Sequence, residues 1–440
     1  MTPQTDARPR FSVVVNTNGR RATLALTLRC LDYLDYPDFE VIVVAGPAED
    51  GTAALLAAHA GRIKQARCPV LNLSTSRNIA IGLAAGEIVA FIDDDAVAEP
   101  QWLAQLAAGY ADDRVAGTGG IVLDDTGLKP QYRYATANRM GRADIARTVP
   151  ANDLCVPDAP VFPYLQGTNA SFRRAALVEA GGFDEEYDFY LDETDLCCRL
   201  VDAGYRLNQL PDAWVHHQFA ASHLRNAAKV TFDRYPVIKN KVYFSLVNNH
   251  GHHGVAAVLR DALQFHAEEA WGIHHNTQQG LIPPAMIERF DTTSERAIAA
   301  GLLAGLRGQR RLRPAGFFAA LQAPFLSFLP KRPPGERRVL CFADPDALPE
   351  AARASEAEAR AAGHHVHRLQ RAAAAESCGF AGDHWVHALR WEGDGDFAGS
   401  LARVVSLMRR HHPGQRLEIH LPAALRSTRI DDEAADIVVY

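Results

Sequence analysis

The chain has 440 residues, 48% of them hydrophobic and 22% charged, which is enough apolar side chain to fill two or three domain-sized cores and too much for a disordered polymer. Its 46 basic and 52 acidic side chains leave a formal charge of -6, so no cationic excess is available to hold a phosphate backbone and nucleic acid is not expected as a partner. The opening 1–10 is polar and no uncharged apolar run approaches the ~20 residues that cross a bilayer, which argues against a signal peptide or spanning helix and predicts a cytoplasmic protein.

From residue 11 the pattern is that of an α/β domain. Apolar runs at 11–15 and 40–44 are continuous and β-branched, as strands buried on both faces of a parallel sheet are, and they flank a helical stretch at 22–34. A helix over 52–60 leads to a strand near 70–73 and a helix over 76–85, which Gly86 is expected to close in a left-handed C-cap. The strand 87–92 runs without a turn into Asp93-Asp94-Asp95. Three acids therefore stand at a strand's carboxyl end, where open α/β sheets bind ligands. After a helix beyond Gln101 and a strand at 120–123, an irregular Pro-, Asp- and Arg-rich segment to about Tyr164 reads as a long binding loop. A helix at 175–180, a Gly-Gly-Phe turn and an amphipathic helix near 193–203 follow.

Residues 225–328 read as mainly helical, with the basic, proline-punctuated 310–334 as a linker. A small α/β unit then starts afresh, with strands at 338–342, 365–369, 385–389, 417–421 and 436–440. The last strand has no following element to cover it, so the unit reads as vestigial or as cut from a longer chain. These patterns divide the chain into an α/β domain over 1–225, a helical extension and linker over 226–335, and the small unit over 336–440. The seven cysteines include no Cys-x-x-Cys pair. The histidine doublets, among them His216-His217 and His411-His412, lack the His-Glu-x-x-His spacing of a helix-borne zinc site, so packing and surface roles are expected for most of them.

Three adjacent carboxylates beside an apolar strand repel one another, and something cationic should compensate. A hard divalent ion, Mn2+ or Mg2+, bound by one or two carboxylates and by substrate phosphates, would do so. A solvated turn with a helix cap is the alternative.

Four separated motifs, in order over residues 11 to about 245, resemble those of the family 2 glycosyltransferases with their GT-A fold, a Rossmann-like nucleotide-diphospho-sugar transferase domain. Asn16-Thr17-Asn18-Gly19-Arg20 is similar to the family's nucleotide-binding turn, with Asn16 where proline is usual. Ser76-Arg77-Asn78-Ile79-Ala80, Gly86 and Phe91-Ile92-Asp93-Asp94-Asp95 resemble the segment leading into its Asp-x-Asp motif. Gln166-Gly167-Thr168-Asn169 and Gly181-Gly182-Phe183-Asp184 resemble its acceptor-side segment, and Asp192-Glu193-Thr194-Asp195-Leu196 its catalytic-base motif with the first acidic pair reversed.

The resemblance implies that Thr17, Asn18, Arg20, Arg77, Asp93 and Asp94 contact a nucleoside-diphosphate sugar, with UDP the expected nucleotide. It implies that Asp95, with Asp93 and one of His216 and His217, holds the metal, and that Gly167, Thr168 and Asn169 meet the acceptor. Register puts Glu193 at the base position, with Asp192 and Asp195 as contenders, and like-charge repulsion from those two would raise its pKa. The acid that the family often carries after its second strand is missing from Ala45-Gly46-Pro47, which leaves the base of the nucleotide open. Residues 338–389, with Gly363-His364-His365-Val366-His367, resemble the opening of a family 4, GT-B domain, but Ala343-Asp344-Pro345-Asp346-Ala347 stands where its glycine-rich loop would be, so this unit should be catalytically silent.

The function so implied is inverting, metal-dependent transfer of a sugar to a glycan or lipid-linked acceptor, in the manner of bacterial surface-polysaccharide synthesis. A sugar nucleotidyltransferase would want a richer glycine loop than 16–21 provides. A non-catalytic sugar-nucleotide-binding scaffold that recruits a partner is the alternative from another class. The apolar stretch 316–330 behind Arg310, Arg311 and Arg313 could give peripheral contact with the inner face of a membrane or pack into the helical region.

Overall fold

The computed structural model describes residues 8–331, 336–343, 348–391, 394–422 and 435–439. Strands β1 (Phe11–Thr17), β2 (Phe39–Ala45), β3 (Lys64–Arg67) and β4 (Ile88–Asp93) lie parallel in the order β3-β2-β1-β4. Their unbroken apolar runs are explained by burial on both sides, because successive side chains alternate between faces. Val14, Ile42 and Phe91 enter one core with Ala80 and Ile81, while Val13, Val15 and Val43 enter another with Leu24 and Leu28. Both cores are floored by the same sheet.

The sheet continues through β5 (Ala96–Ala98), β6 (Val115–Leu123), β7 (Pro130–Tyr132), β11 (Ala170–Arg173) and β12 (Arg206–His217), in the order β4-β11-β6-β12-β5, with β7 beside β6. Strand β11 is antiparallel to both β4 and β6, so the sheet is mixed beyond its parallel half. Two registers position the site. Asn16 pairs with Asp93 across β1 and β4, and His216 and His217 pair with Val97 and Ala96 across β12 and β5. The ends of three strands thereby meet at the acidic triplet.

The α/β class is as expected, with local departures. No strand forms at 70–73; the strand is β3, and Asn72 caps the helix Leu73–Leu83 by accepting the Thr75 backbone N–H at 2.8 Å. Gly86 is not left-handed. It is required because a Cβ there would lie 2.7 Å from the backbone of Phe11 and Ser12. The segment expected to be a loop carries β7 and a three-stranded sheet, β10-β8-β9, of β8 (Tyr134–Asn138), β9 (Ala143–Arg147) and β10 (Val161–Tyr164). Tyr132, Tyr134, Phe162 and Tyr164 are buried there, and aromatic side chains supply the area that short strands need.

Helices Tyr235–Val247, Val255–Gln278 and Ala285–Arg307 form the expected extension. The segment expected as a linker instead wraps the first domain. Arg310 reaches Asp195 at 2.5 Å, Arg313 reaches Glu185 at 2.6 Å, and Phe318 and Phe328 are 1% exposed. Its apolar side chains are thus used in packing, Phe328 against Phe39, and the expectation of membrane contact gains no support. Residues 332–334 of that segment lie outside the described residues. Among the described residues no helix is long and apolar enough to cross a membrane.

The C-terminal unit is a six-stranded sheet of β13 (Val339–Ala343), β14 (His365–Arg371), β15 (Ser377–Phe380), β16 (Trp385–Leu389), β17 (Leu417–Leu421) and β18 (Ala435–Val439), in the order β15-β16-β14-β13-β17-β18. It is parallel except for β15 against β16. Residues 344–347 and Tyr440 lie outside the described residues. Cys378, Phe380 and Trp385 share a core with Val13 and Leu28, so the unit is docked on the first domain through apolar contact.

Candidate active site

A cleft opens at the carboxyl ends of β1, β4 and β12. Asn16, Thr17, Asn18 and Arg20 line it from the turn after β1, Asp93 and Asp95 from the end of β4, and His217 from the end of β12. Arg20 lies 2.6 Å from Asp94 and 3.1 Å from Asp95. Although burial works against its charge, Asp94, Asp95 and Asp93 together hold the guanidinium above its ordinary range. Burial is also the first cause at Asp94, whose carboxyl is pushed up to about 7 in spite of Arg20, with Asp95 repelling it further. Asp94 is wholly buried beneath the cleft rather than lining it.

Asp95 goes the other way. Burial would raise it, yet the His217 ring, Arg20 and the Ala220 backbone N–H, which donates to Oδ2 at 2.7 Å, hold it well below the carboxylate range. Its Oδ1 is buried without a hydrogen-bond partner, 3.3 Å from His217 Nε2. Donor atoms of Asp93, Asp95 and His217 lie within 4.8 Å of one another. Two carboxylates, one with an unsatisfied buried oxygen, and an imidazole form a donor set that fits a divalent ion such as Mn2+. Gln131 Oε1, 3.0 Å from His217 Nδ1, fixes the ring from outside.

The two adjacent histidines part because successive strand residues face opposite sides of a sheet. His217 enters the cleft, whereas His216 turns to the seam with the C-terminal unit, 3.1 Å from Glu99 and against the Trp385 ring. That geometry removes His216 from the metal-binding pair.

The acids of the helix Asp192–Asp202 also separate. Asp195 is wholly buried and accepts from Tyr187, Arg199, Asn248 and Arg310, so it holds elements together and is not available as a base. Asp192 is paired with the buried Arg77, which also lies 5.0 Å from the Phe183 ring. Arg77 thus sits behind the cleft against Asp192, not among its lining residues. Glu193 has no ion pair of its own among the described residues. Burial first, and then Asp192, push its carboxyl up to about 8. Arg77 feels Asp192, Glu193 and Asp93 together, which sets the base candidate and one acid of the cleft around one guanidinium.

The acceptor-side residues are committed to the scaffold. Asn169 donates to the carbonyls of Ile121 and Ala213 and accepts from Trp102 Nε1, and Thr168 Oγ1 accepts from the Asp93 backbone N–H at 3.2 Å. With Gly167 they are buried under the acidic strand end, which leaves Asn169 no free group for a sugar. They brace Asp93 from below. Ser76, Asp188, His223 and Arg225, to which the sequence assigns no site role, also line the cleft. Arg225 lies 3.8 Å from Asp95 and 3.6 Å over the Phe219 ring. The available signal was the run Ser222-His223-Leu224-Arg225 shortly after the histidine pair.

Residues 12–180 match the model of the family described as Glycosyl transferase family 2. The chain is 31% identical over 150 residues to the pre-mycofactocin glycosyltransferase of Mycobacterium tuberculosis, covering 33% of this chain and 29% of that protein. It is 29% identical over 210 residues to the succinoglycan biosynthesis protein ExoM of Rhizobium meliloti, covering 45% of this chain and 63% of that one. Among solved structures, the mannosyltransferase PcManGT from Pyrobaculum calidifontis, in complex with GDP-Man and Mn2+, aligns over 68% of this chain and 88% of its own at 18% identity, with a TM-score of 0.42. The match to the mycobacterial relative spans less than a third of that protein's length. Residues 12–180, which supply Asn16, Thr17, Asn18, Arg20, Asp93 and Asp95 to the cleft, are the part of the chain that is similar to glycosyl transferase family 2.

Proposed function

We propose that the protein is a metal-dependent, inverting glycosyltransferase that moves a sugar from a nucleoside-diphosphate sugar, UDP-linked in the first instance, to a hydroxyl of a glycan or lipid-linked acceptor. The observation that carries this reading is the convergence of Asp93, Asp95 and His217 on one cleft, with a buried Asp95 oxygen lacking a hydrogen-bond donor. Asp93, Asp95 and His217 would hold a divalent ion, whose chemistry is to offset charge on the departing diphosphate. Arg20 and Arg225 stand beside the same acids and bring further positive charge to where the phosphates would lie. Thr17, Asn18 and Asn16 offer hydroxyl and amide groups for the nucleoside.

Glu193 takes the proton from the acceptor hydroxyl as that oxygen attacks the anomeric carbon opposite the leaving group, and a single displacement inverts the configuration. A carboxyl pushed up to about 8 is a stronger base, once deprotonated, than an ordinary glutamate. Names of relatives such as the succinoglycan biosynthesis protein favour an acceptor in bacterial surface polysaccharide. Such work is compatible with a cytoplasmic site at the inner face of the membrane.

The test is binding and turnover of a panel of nucleotide sugars with Mn2+, Mg2+ or chelator. The expected result is metal-dependent release of one nucleoside diphosphate, lost in Asp95→Ala and strongly reduced in Glu193→Gln with donor binding retained. Metal-independent or absent donor binding by the wild type across the panel would overturn the catalytic reading and leave the scaffold in its place.

A further inference from the structure

Away from the cleft, the seam between the first domain and the C-terminal unit gathers a second set of metal-binding side chains. His367 comes from β14, and His411 and His412 from the end of the helix Asp394–His411. All three rings are wholly buried, and a donor atom from each lies within 4.8 Å of the other two.

His367 has both ring nitrogens within hydrogen-bond distance of another imidazole. His367 Nε2 is 3.1 Å from His412 Nε2, while His367 Nδ1 is 3.0 Å from His387 Nε2. His412 Nδ1 lies 3.8 Å from the Asp35 carboxylate, and His411 Nε2 lies 3.1 Å from Glu99 Oε1. His411 Nδ1 and Nε2 and His412 Nδ1 are buried without a hydrogen-bond partner, so the two carboxylates stand near these rings without being hydrogen-bonded to them. Outer carboxylate or imidazole partners on inward-facing histidines are the arrangement that orients metal ligands and sets their tautomers. Hydrogen bonding alone does not complete this cluster, because a buried ring nitrogen left unpaired is costly.

We propose that the seam binds a late first-row divalent ion of the Zn2+ class on His367, His411 and His412, and that this ion fastens the C-terminal unit to the transferase domain. Three imidazoles with a water as the fourth ligand suit tetrahedral Zn2+. The ligands all come from the C-terminal unit, whereas the outer carboxylates Asp35 and Glu99 come from the transferase domain, so binding draws the two together. A second grouping, Glu99 with His216 and His411, is the weaker candidate. There Arg410 already occupies both Glu99 oxygens, at 2.5 and 3.0 Å, and its charge opposes a cation. Arg337 also stands at the seam, 2.7 Å from Asp35.

The experiment uses the full chain, stripped of metal and loaded with Zn2+ or Co2+ in the wild type and in Asp95→Ala, which disables the cleft site. About one equivalent should survive desalting in both proteins, and the Co2+ form should show the intense visible bands of four-coordinate cobalt. Binding should be abolished in His367→Gln and His411→Gln. Asp35→Asn, an outer substitution that leaves the three ligands in place, should weaken binding by about 10–100-fold. Failure of Asp95→Ala to retain an ion that the wild type holds, or retention by both histidine variants, or a weak octahedral cobalt spectrum, would overturn the proposal. The wild-type spectrum decides the matter even where a histidine variant does not fold.

Discussion

Glu193→Gln removes the one acid of its helix that burial and Asp192 hold protonated, and its effect on stability should depend on pH in a way that a packing change would not. The folded carboxyl is pushed from 4.5 up to about 8. A group raised in the folded state contributes stability that is fully present below its unfolded pKa and is lost as pH rises through the folded one. Between those values the wild type should therefore lose roughly 1.4 kcal/mol per pH unit relative to glutamine, which cannot ionise. From pH 5 to pH 7 the gap between the proteins should widen by about 2–3 kcal/mol in favour of the variant. Urea unfolding at several pH values, followed by far-ultraviolet circular dichroism on metal-free protein, measures this directly. A difference that stays constant across that range would refute the idea that the fold holds Glu193 protonated, and with it the physical basis for choosing it as the base.

The same group predicts a rate profile: with Glu193 needed in its deprotonated form, kcat/KM for transfer should rise about tenfold per pH unit below about 8 and level off above it. Glu193→Gln should lie roughly 10²–10⁴-fold lower and lose that rise. The histidine pair should split cleanly, with His217→Ala abolishing Mn2+-dependent donor binding and His216→Ala keeping it, both read by calorimetric titration. Arg310→Ala takes the Arg310 guanidinium from Asp184 and Asp195, leaving Asp195 with Arg199 alone. Breaking that buried pairing should cost about 3–5 kcal/mol in urea unfolding, and a loss under about 1 kcal/mol would mean that the 310–331 segment is only loosely attached.

What was legible in the sequence was whatever a local pattern determines. Continuous β-branched runs announced the parallel strands, and Asp93-Asp94-Asp95 followed one of them closely enough to fix its place at a strand end. The segment 124–164 was misread because its strands are short and interrupted by Pro and Asp, so their alternation never runs long enough to register. Gly86 was assigned a backbone conformation when its reason is steric, and only the packed structure reveals that the chain of Phe11 and Ser12 passes against it. Arg310 was assigned to a linker because its partner, Asp195, lies 115 residues earlier. The choice between His216 and His217 depended on which face of β12 turns to the cleft, a matter of the pairing with β5 that spacing alone does not encode.

The base motif carries this contrast to its chemical end. Three acids open one helix, where the macrodipole favours negative charge at every one of them, so the sequence could rank them only by likeness. The fold separates them by supplying cations to two. Asp192 receives Arg77, and Asp195 receives Arg199 and Arg310. Glu193, left with a desolvated carboxyl and the charge of Asp192 beside it, is the acid whose proton affinity rises into the range a base needs near neutral pH. Burial first, and then the neighbouring Asp192, are therefore what raise Glu193. Asp192→Asn tests this coupling: it should lower the apparent pKa of the rate profile, because it removes the repelling charge, while leaving Glu193 in place. An unchanged profile would mean that burial alone sets Glu193, and that Asp192 serves only to hold Arg77.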